Sequence, residues 1–250
     1  LVIKSDATGT GSLITSSSPL ATVERYLTNY ATTTDHKYHM ISSPVTLQAI
    51  RPMFVANAPS LYDDFYKYDE TATSNPWINT KDGDGNWNTA FESEFVVGRG
   101  YLVSYKDIPV SPRSFSGTLN SYSSGSPLVI TCTYTEAGGK GWNLIGNPFS
   151  SALDWNLVTP SLGSGMDNAL YYYDASTENY LYYIDINGGI GTGSRYIPAM
   201  QGFMVHAKSS GTHTVTLNDG MRAHSSQNFY KSAESLPGSL SLTVSSGGYE

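Results

Sequence analysis

Apolar and polar residues alternate in short runs along most of this chain, and the runs stop at Gly, Asn, Asp, Ser or Pro. A period of two closed by turn formers marks strands with one buried face. In Leu128-Val129-Ile130-Thr131-Cys132-Thr133-Tyr134 the alternation places Leu128, Ile130, Cys132 and Tyr134 on one side. No segment sustains a long apolar spacing of 3.6 residues; only stretches near 61–65 and 154–158 read as a helical turn. The pattern predicts an all-β chain.

The strands recur in one order. Tyr38-His39-Met40-Ile41-Ser42-Ser43-Pro44-Val45 matches Trp142-Asn143-Leu144-Ile145-Gly146-Asn147-Pro148-Phe149 at an offset of 104 residues. Tyr66-Lys67-Tyr68-Asp69 matches Tyr171-Tyr172-Tyr173-Asp174 at 105, and Gly100-Tyr101-Leu102-Val103 matches Gly202-Phe203-Met204-Val205 at 102. Thr118-Leu119-Asn120 matches Thr216-Leu217-Asn218 at 98. The drift is what loops of changing length produce between strands that keep their register. These matches predict two tandem homologous β-sandwich, jelly-roll-like domains, at 20–122 and 126–232, joined by a Ser-rich segment. Residues 1–19 read as the tail of a preceding β-rich module. Residues 233–250, with Ser239-Leu240-Ser241-Leu242-Thr243-Val244, read as a following strand or linker.

Composition narrows the partners. Charged residues are 14% of 250 and the formal net charge is −7, with no run of Lys or Arg. A phosphate backbone or an anionic membrane surface would need a basic patch, so neither is expected as a partner. No stretch has the roughly 20 apolar residues of a membrane span, so no membrane insertion is expected. The chain opens on Leu1 without an initiator Met or a signal peptide, which reads as a mature or excised piece. The single cysteine, Cys132, excludes an intrachain disulfide and reads as a buried strand residue.

Candidate chemistry is sparse. His36, His39, His206, His213 and His224 form neither a His-Glu-x-x-His motif nor an adjacent ligand pair, and no Gly-x-Ser-x-Gly turn occurs. His39 aligns with Asn143, which points to a shared hydrogen-bonding position. Asp63 with Asp64, or Glu92 with Glu94, would serve glycoside hydrolysis only across a cleft. Asp82-Gly83-Asp84-Gly85-Asn86-Trp87-Asn88 offers the oxygens of Asp82, Asp84, Asn86 and Asn88 to one hard cation, making calcium a candidate cofactor. Asp-Gly and Gly-Asn also make ordinary hairpin turns, and Trp87 stands where an EF-hand loop needs glycine. Trp142, Tyr101 and Phe203 read as core. Trp77 and Trp87, with Tyr180, Tyr182 and Tyr183 in the counterpart segment 175–195, read as aromatic loops at equivalent edges. Of these, Trp77, Trp87, Tyr180 and Tyr182 are the candidate ligand-binding residues.

Residues 5–13, Val23-Glu24-Arg25-Tyr26, Gly141-Trp142-Asn143-Leu144-Ile145-Gly146-Asn147-Pro148-Phe149, Met200-Gln201-Gly202-Phe203 and residues 225–230 resemble segments of large secreted surface proteins of Bacteroidota. Those proteins are typically cargo of the type IX secretion system. The resemblance implies a location, secreted or on the outer cell surface, and supplies no catalytic residues. The expectation is a non-catalytic extracellular module for adhesion or carbohydrate binding, with a glycan or surface protein as partner. The alternatives are a structural spacer or self-assembling filament subunit, which would be a homo-oligomer, and a glycoside hydrolase.

Overall fold

The computed structural model describes residues 1–28, 37–57, 63–106 and 112–225, and its regular elements there are nearly all strands. The expected strand at 239–244, His36, and residues 61 and 62 of one expected helical turn lie outside the described residues. Asp64 and Phe65, from that same turn, open the strand Asp64–Tyr68 instead, because Phe-Tyr-Lys-Tyr fits a pleated, half-buried surface. The other turn is present as the helix Trp155–Val158, capped by Asp154, whose carboxylate accepts from the Asn156 N–H at 3.1 Å.

Two antiparallel sheets carry the matched segments. The first has the spatial order His39–Ile41, Tyr101–Ser104, Asp64–Tyr68, Trp77–Asn79. The second has the order Trp142–Gly146, Gly202–Ala207, Met166–Asp174, Asn179–Ile184, with Ile190–Gly191 added at its far edge. Their registers coincide. His39 faces Val103 as Asn143 faces Val205, and Ile41 faces Tyr101 as Ile145 faces Phe203. Phe65 faces Val103 as Leu170 faces Val205, and Tyr68 faces Trp77 as Tyr173 faces Tyr180.

A smaller sheet covers one face of each. Leu20–Arg25 pairs with Arg113–Thr118 over the first, and Leu128–Tyr134 pairs with Gly211–Leu217 over the second. Ile41, Phe65, Tyr101 and Val103 meet Val23 and Phe115 in one core; Ile145, Leu170, Phe203 and Val205 meet Cys132 and Val215 in the other. The fold is therefore an all-β sandwich with two cores. Residues 1–19 do not stand apart from it. Val2–Ile3 adds a parallel strand beside Leu20–Arg25, Ile3 enters the first core, and the Leu13 N–H reaches Ser150 O at 3.0 Å.

Val23 and Cys132 hold equivalent places, since Val23 faces Phe115 and Cys132 faces His213 in ladders that align at the matched Thr118 and Thr216. Both are fully buried, and burial pushes the Cys132 thiol up to about 12. Because only the thiolate attacks, Cys132 should react with a maleimide at pH 8 at least about a hundredfold more slowly than an exposed thiol. Rapid labelling before denaturant is added would contradict this burial.

The other faces of the two larger sheets pack on each other. Met40, Leu144 and Met204 are buried there, with Leu102, Tyr68, Tyr173, Trp77, Trp142 and Tyr171 partly buried around them. Contacts across this seam are reciprocal. The Ser42 N–H donates to Met200 O at 2.9 Å, and the Gly146 N–H, at the matched position, donates to Gly98 O at 2.8 Å. Ile41 bridges Gln201 as Ile145 bridges Arg99. Such reciprocity is the signature of a twofold, isologous interface, here formed within one chain. It also accounts for the repeated Gly100 and Gly202. A Cβ on Gly100 would lie 2.5 Å from Ile145 O, and one on Gly202 would lie 3.1 Å from Ile41 O.

Candidate functional site

At the edge of this seam the aromatic residues separate into two sheets of rings and leave a cavity of about 390 Å³. Its walls are Tyr68 and Trp77 from the first unit, and Trp142, Tyr171, Tyr180 and Met204 from the second. Tyr68 and Trp77 are cross-strand neighbours with ring centroids 4.9 Å apart, edge to face. Their counterparts Tyr173 and Tyr180 lie 5.5 Å apart in the same arrangement. Trp142 closes the second wall, 5.0 Å from Tyr171 and 4.9 Å from His206. Burial raises the pKa of Tyr68, with the Glu70 charge adding to the effect, and burial likewise raises those of Tyr171 and Tyr180. All three hydroxyls stay protonated at neutral pH. On the rim His206 Nδ1 lies 2.7 Å from Asp167 Oδ2 and Nε2 lies 3.1 Å from Lys140 O.

The expected aromatic residues are only partly brought together. Trp77 and Tyr180 meet at the cavity, but on strands rather than loops, because Trp-Ile-Asn and the Tyr-rich Asn179–Ile184 pair with their neighbours as regular ladders. Tyr182 is on a different stretch of the same strand, over Tyr171 at 6.3 Å between centroids, and does not line the cavity. Trp87 is elsewhere. It packs on the first core beside Phe91, with the Arg51 guanidinium 4.0 Å above its ring. Trp142 is not a sandwich-core residue: it shares the outer face with Leu144 and is half-buried at the cavity. Tyr101 and Phe203 are fully buried, as expected.

The Asp82 loop is a tight hairpin closed by the Lys81–Trp87 bridge. Asp82 Oδ1 accepts from the N–H groups of Asp84 at 3.0 Å and Asn86 at 2.8 Å, and Asn88 Oδ1 accepts from the Ala90 N–H at 3.0 Å. These are Asx-turn bonds, which account for Asp82 and Asn88 through backbone capping. Among the described residues no group of three or more His, Cys, Asp or Glu is placed to hold a metal ion. The carboxylate pairs have local partners too. Glu92 binds Lys67 at 2.7 Å and Arg99 at 2.6 Å, while Asp64 lies 3.2 Å from Lys81.

His39 and Asn143 both tie a larger sheet to its cover. His39 Nε2 lies 3.0 Å from both Thr28 O and Thr28 Oγ1. Asn143 spans the Thr133 backbone, accepting its N–H at 3.0 Å and donating to its carbonyl at 2.9 Å.

Sequence reasoning missed Glu70, a first-unit residue that is only 4% exposed and whose carboxylate accepts from four groups of the second unit. It accepts from the N–H groups of Thr135 at 2.6 Å and Gly141 at 3.0 Å, and from the hydroxyls of Thr133 at 2.8 Å and Thr135 at 2.9 Å. Burial alone would raise its pKa, but these four donors outweigh burial and hold the carboxyl below its ordinary value. Glu70 follows the cavity residue Tyr68 by two positions, so this clamp joins the two units beside the cavity.

No curated protein and no solved structure matches the chain. A family model described as a domain of unknown function, DUF8693, matches residues 8–239. With nearly the whole sequence matched, the chain belongs to the DUF8693 family.

Proposed function

We propose that this protein is a non-catalytic, extracellular glycan-binding or adhesion module, and that the aromatic cavity at the seam is where it holds its ligand. The observation that carries the reading is the convergence of Tyr68, Trp77, Trp142, Tyr171 and Tyr180 on one cavity. Sugars present apolar C–H faces beside hydroxyls. Flat rings cover the former, and Tyr hydroxyls with the Asp167–His206 pair on the rim bind the latter. The wall itself is five aromatic rings and a methionine, a lining suited to holding an apolar sugar face. The resemblance to type IX cargo of Bacteroidota supports placing it on the outer cell surface or in the medium.

A glycan array on the intact chain tests the reading, with Trp77→Ala and Tyr180→Ala beside the parent. Each variant should weaken retention of the bound glycan about tenfold or more, as removal of a central aromatic contact does. A parent that retains no glycan, or variants that retain all of them, would remove the proposal. Calcium is a second proposal and rests only on the Asp82 loop. If the loop takes the ion, added calcium should raise the melting temperature and a chelator lower it, and Asp82→Ala should abolish that difference. Equal melting in both conditions leaves the loop as the hairpin its hydrogen bonds describe.

A further inference from the structure

The two small covering sheets share one ladder register but differ on one edge. In the first unit, Leu20–Arg25 pairs on one side with Arg113–Thr118 and on the other with Val2–Ile3, running parallel. The Thr22 N–H donates to Leu1 O at 2.8 Å. Thr22 faces Ser116, and its counterpart Thr131 faces Thr214. Leu128–Tyr134 pairs only with Gly211–Leu217; among the described residues no strand lies on its other side.

That second edge is partly closed and partly open. Thr133 turns its backbone away from Gly211–Leu217, as its two bonds to the Asn143 side chain show, so Thr131 and Val129 turn the same way. Glu70 takes the next N–H along, that of Thr135. The backbone groups of Val129 and Thr131 on this edge have no partner among the described residues, and both residues are exposed. They border a groove of about 420 Å³, walled also by Val96, Gly98, Arg99, Leu144 and Ile145. Tyr68 is the one residue this groove shares with the aromatic cavity. The charged residues in its lining already have partners: Lys67 and Arg99 on Glu92, Glu70 on its four donors, and Asp69 on the Thr71 N–H and hydroxyl.

We infer that the Val129–Thr131 edge is a strand-acceptor site that takes a short extended peptide, aliphatic at alternate positions and running parallel, in the way the equivalent edge takes Leu1-Val2-Ile3. An open edge supplies the main-chain bonds, and the Val96, Val129, Leu144 and Ile145 side chains along the groove meet the aliphatic side chains of the peptide. The seated strand on the sister unit fixes the chemistry of the occupant: Leu-Val-Ile, two ladder residues long.

The test uses the intact chain and a synthetic peptide carrying the sequence of residues 1–6, labelled at its C-terminus. In the free protein the Thr131 amide should exchange at least about tenfold faster than the Thr22 amide, which is already bonded. Peptide binding should saturate and slow exchange at Val129 and Thr131 while leaving Thr22 unchanged. Thr131→Pro removes an N–H that the fold does not use, so it should keep the parent melting temperature and weaken the peptide at least tenfold. Should that variant misfold, Val129→Lys at the exposed edge gives the same reading. No saturation at millimolar peptide, protection of Thr22 in place of Thr131, or undiminished binding by the folded variants would overturn the site. So would a slow Thr131 amide that becomes fast on dilution, which would make the occupant a second copy of the chain.

Discussion

Glu70→Ala is expected to lower the unfolding free energy by about 2–4 kcal/mol, because it strands two backbone N–H groups and two hydroxyls in a buried seam. Glu70→Gln should be only slightly milder, since its NH2 turns one acceptor into a donor aimed at donors. The same carboxylate sets an acid limit. Its folded pKa lies below the ordinary 4.5, so its contribution is complete above pH 4.5 and is lost as pH falls through the folded value. Urea titrations at pH 7 and near pH 3.5 should show the parent losing more stability between them than Glu70→Ala does. A variant within about 1 kcal/mol of the parent at pH 7 would show that the clamp is not energetically coupled to folding.

Trp155→Ala should cost about 3–5 kcal/mol, the range for truncating a fully buried aromatic. Trp155 is wholly enclosed, its indole N–H donates to Asn168 O at 2.8 Å, and its ring meets Phe203 edge-on at 5.8 Å. The substitution opens a cavity and leaves the Asn168 carbonyl without that donor. Trp142→Ala is the informative comparison. Trp142 is half-buried at the seam, so its loss should cost clearly less while changing the aromatic cavity. Denaturant midpoints for the two variants that fall together would mean that Trp142 belongs to a core after all.

The order of the strands was legible because each matched segment keeps its inward residue: Ile41 and Ile145, Tyr101 and Phe203, Val103 and Val205. What alternation within one strand does not reveal is a second buried face. Met40-Ile41 and Phe203-Met204-Val205 break the alternation with apolar neighbours, and such unbroken runs are how strands covered on both sides read. That signal was present and pointed to the seam; without it, Trp142 reads as core and the two units read as beads on a string. Trp77 and Tyr180 were legible as paired aromatics but not as strand residues, since Asn and Asp around them have the composition of loops. Glu70 was not legible at all. Its partners lie 63 to 71 residues away, and nothing local distinguishes it from other acidic residues in a polar segment.

The reciprocal seam has the geometry of a homodimer, yet both halves are covalently joined through the segment between Asn120 and Pro127. A true dimer would lose its interface on dilution; here docking is intramolecular, at an effective concentration on the order of millimolar. The ring-lined cavity therefore stays assembled in a single molecule at any dilution. Tethering also frees the two halves from having to match. A substitution in a homodimer appears on both sides of the axis, whereas this chain sets Met40 against Leu144, His39 against Asn143, and a strand edge paired with Val2–Ile3 against one with no such neighbour among the described residues. Each half can thus change one face of the seam without imposing the same change on the other.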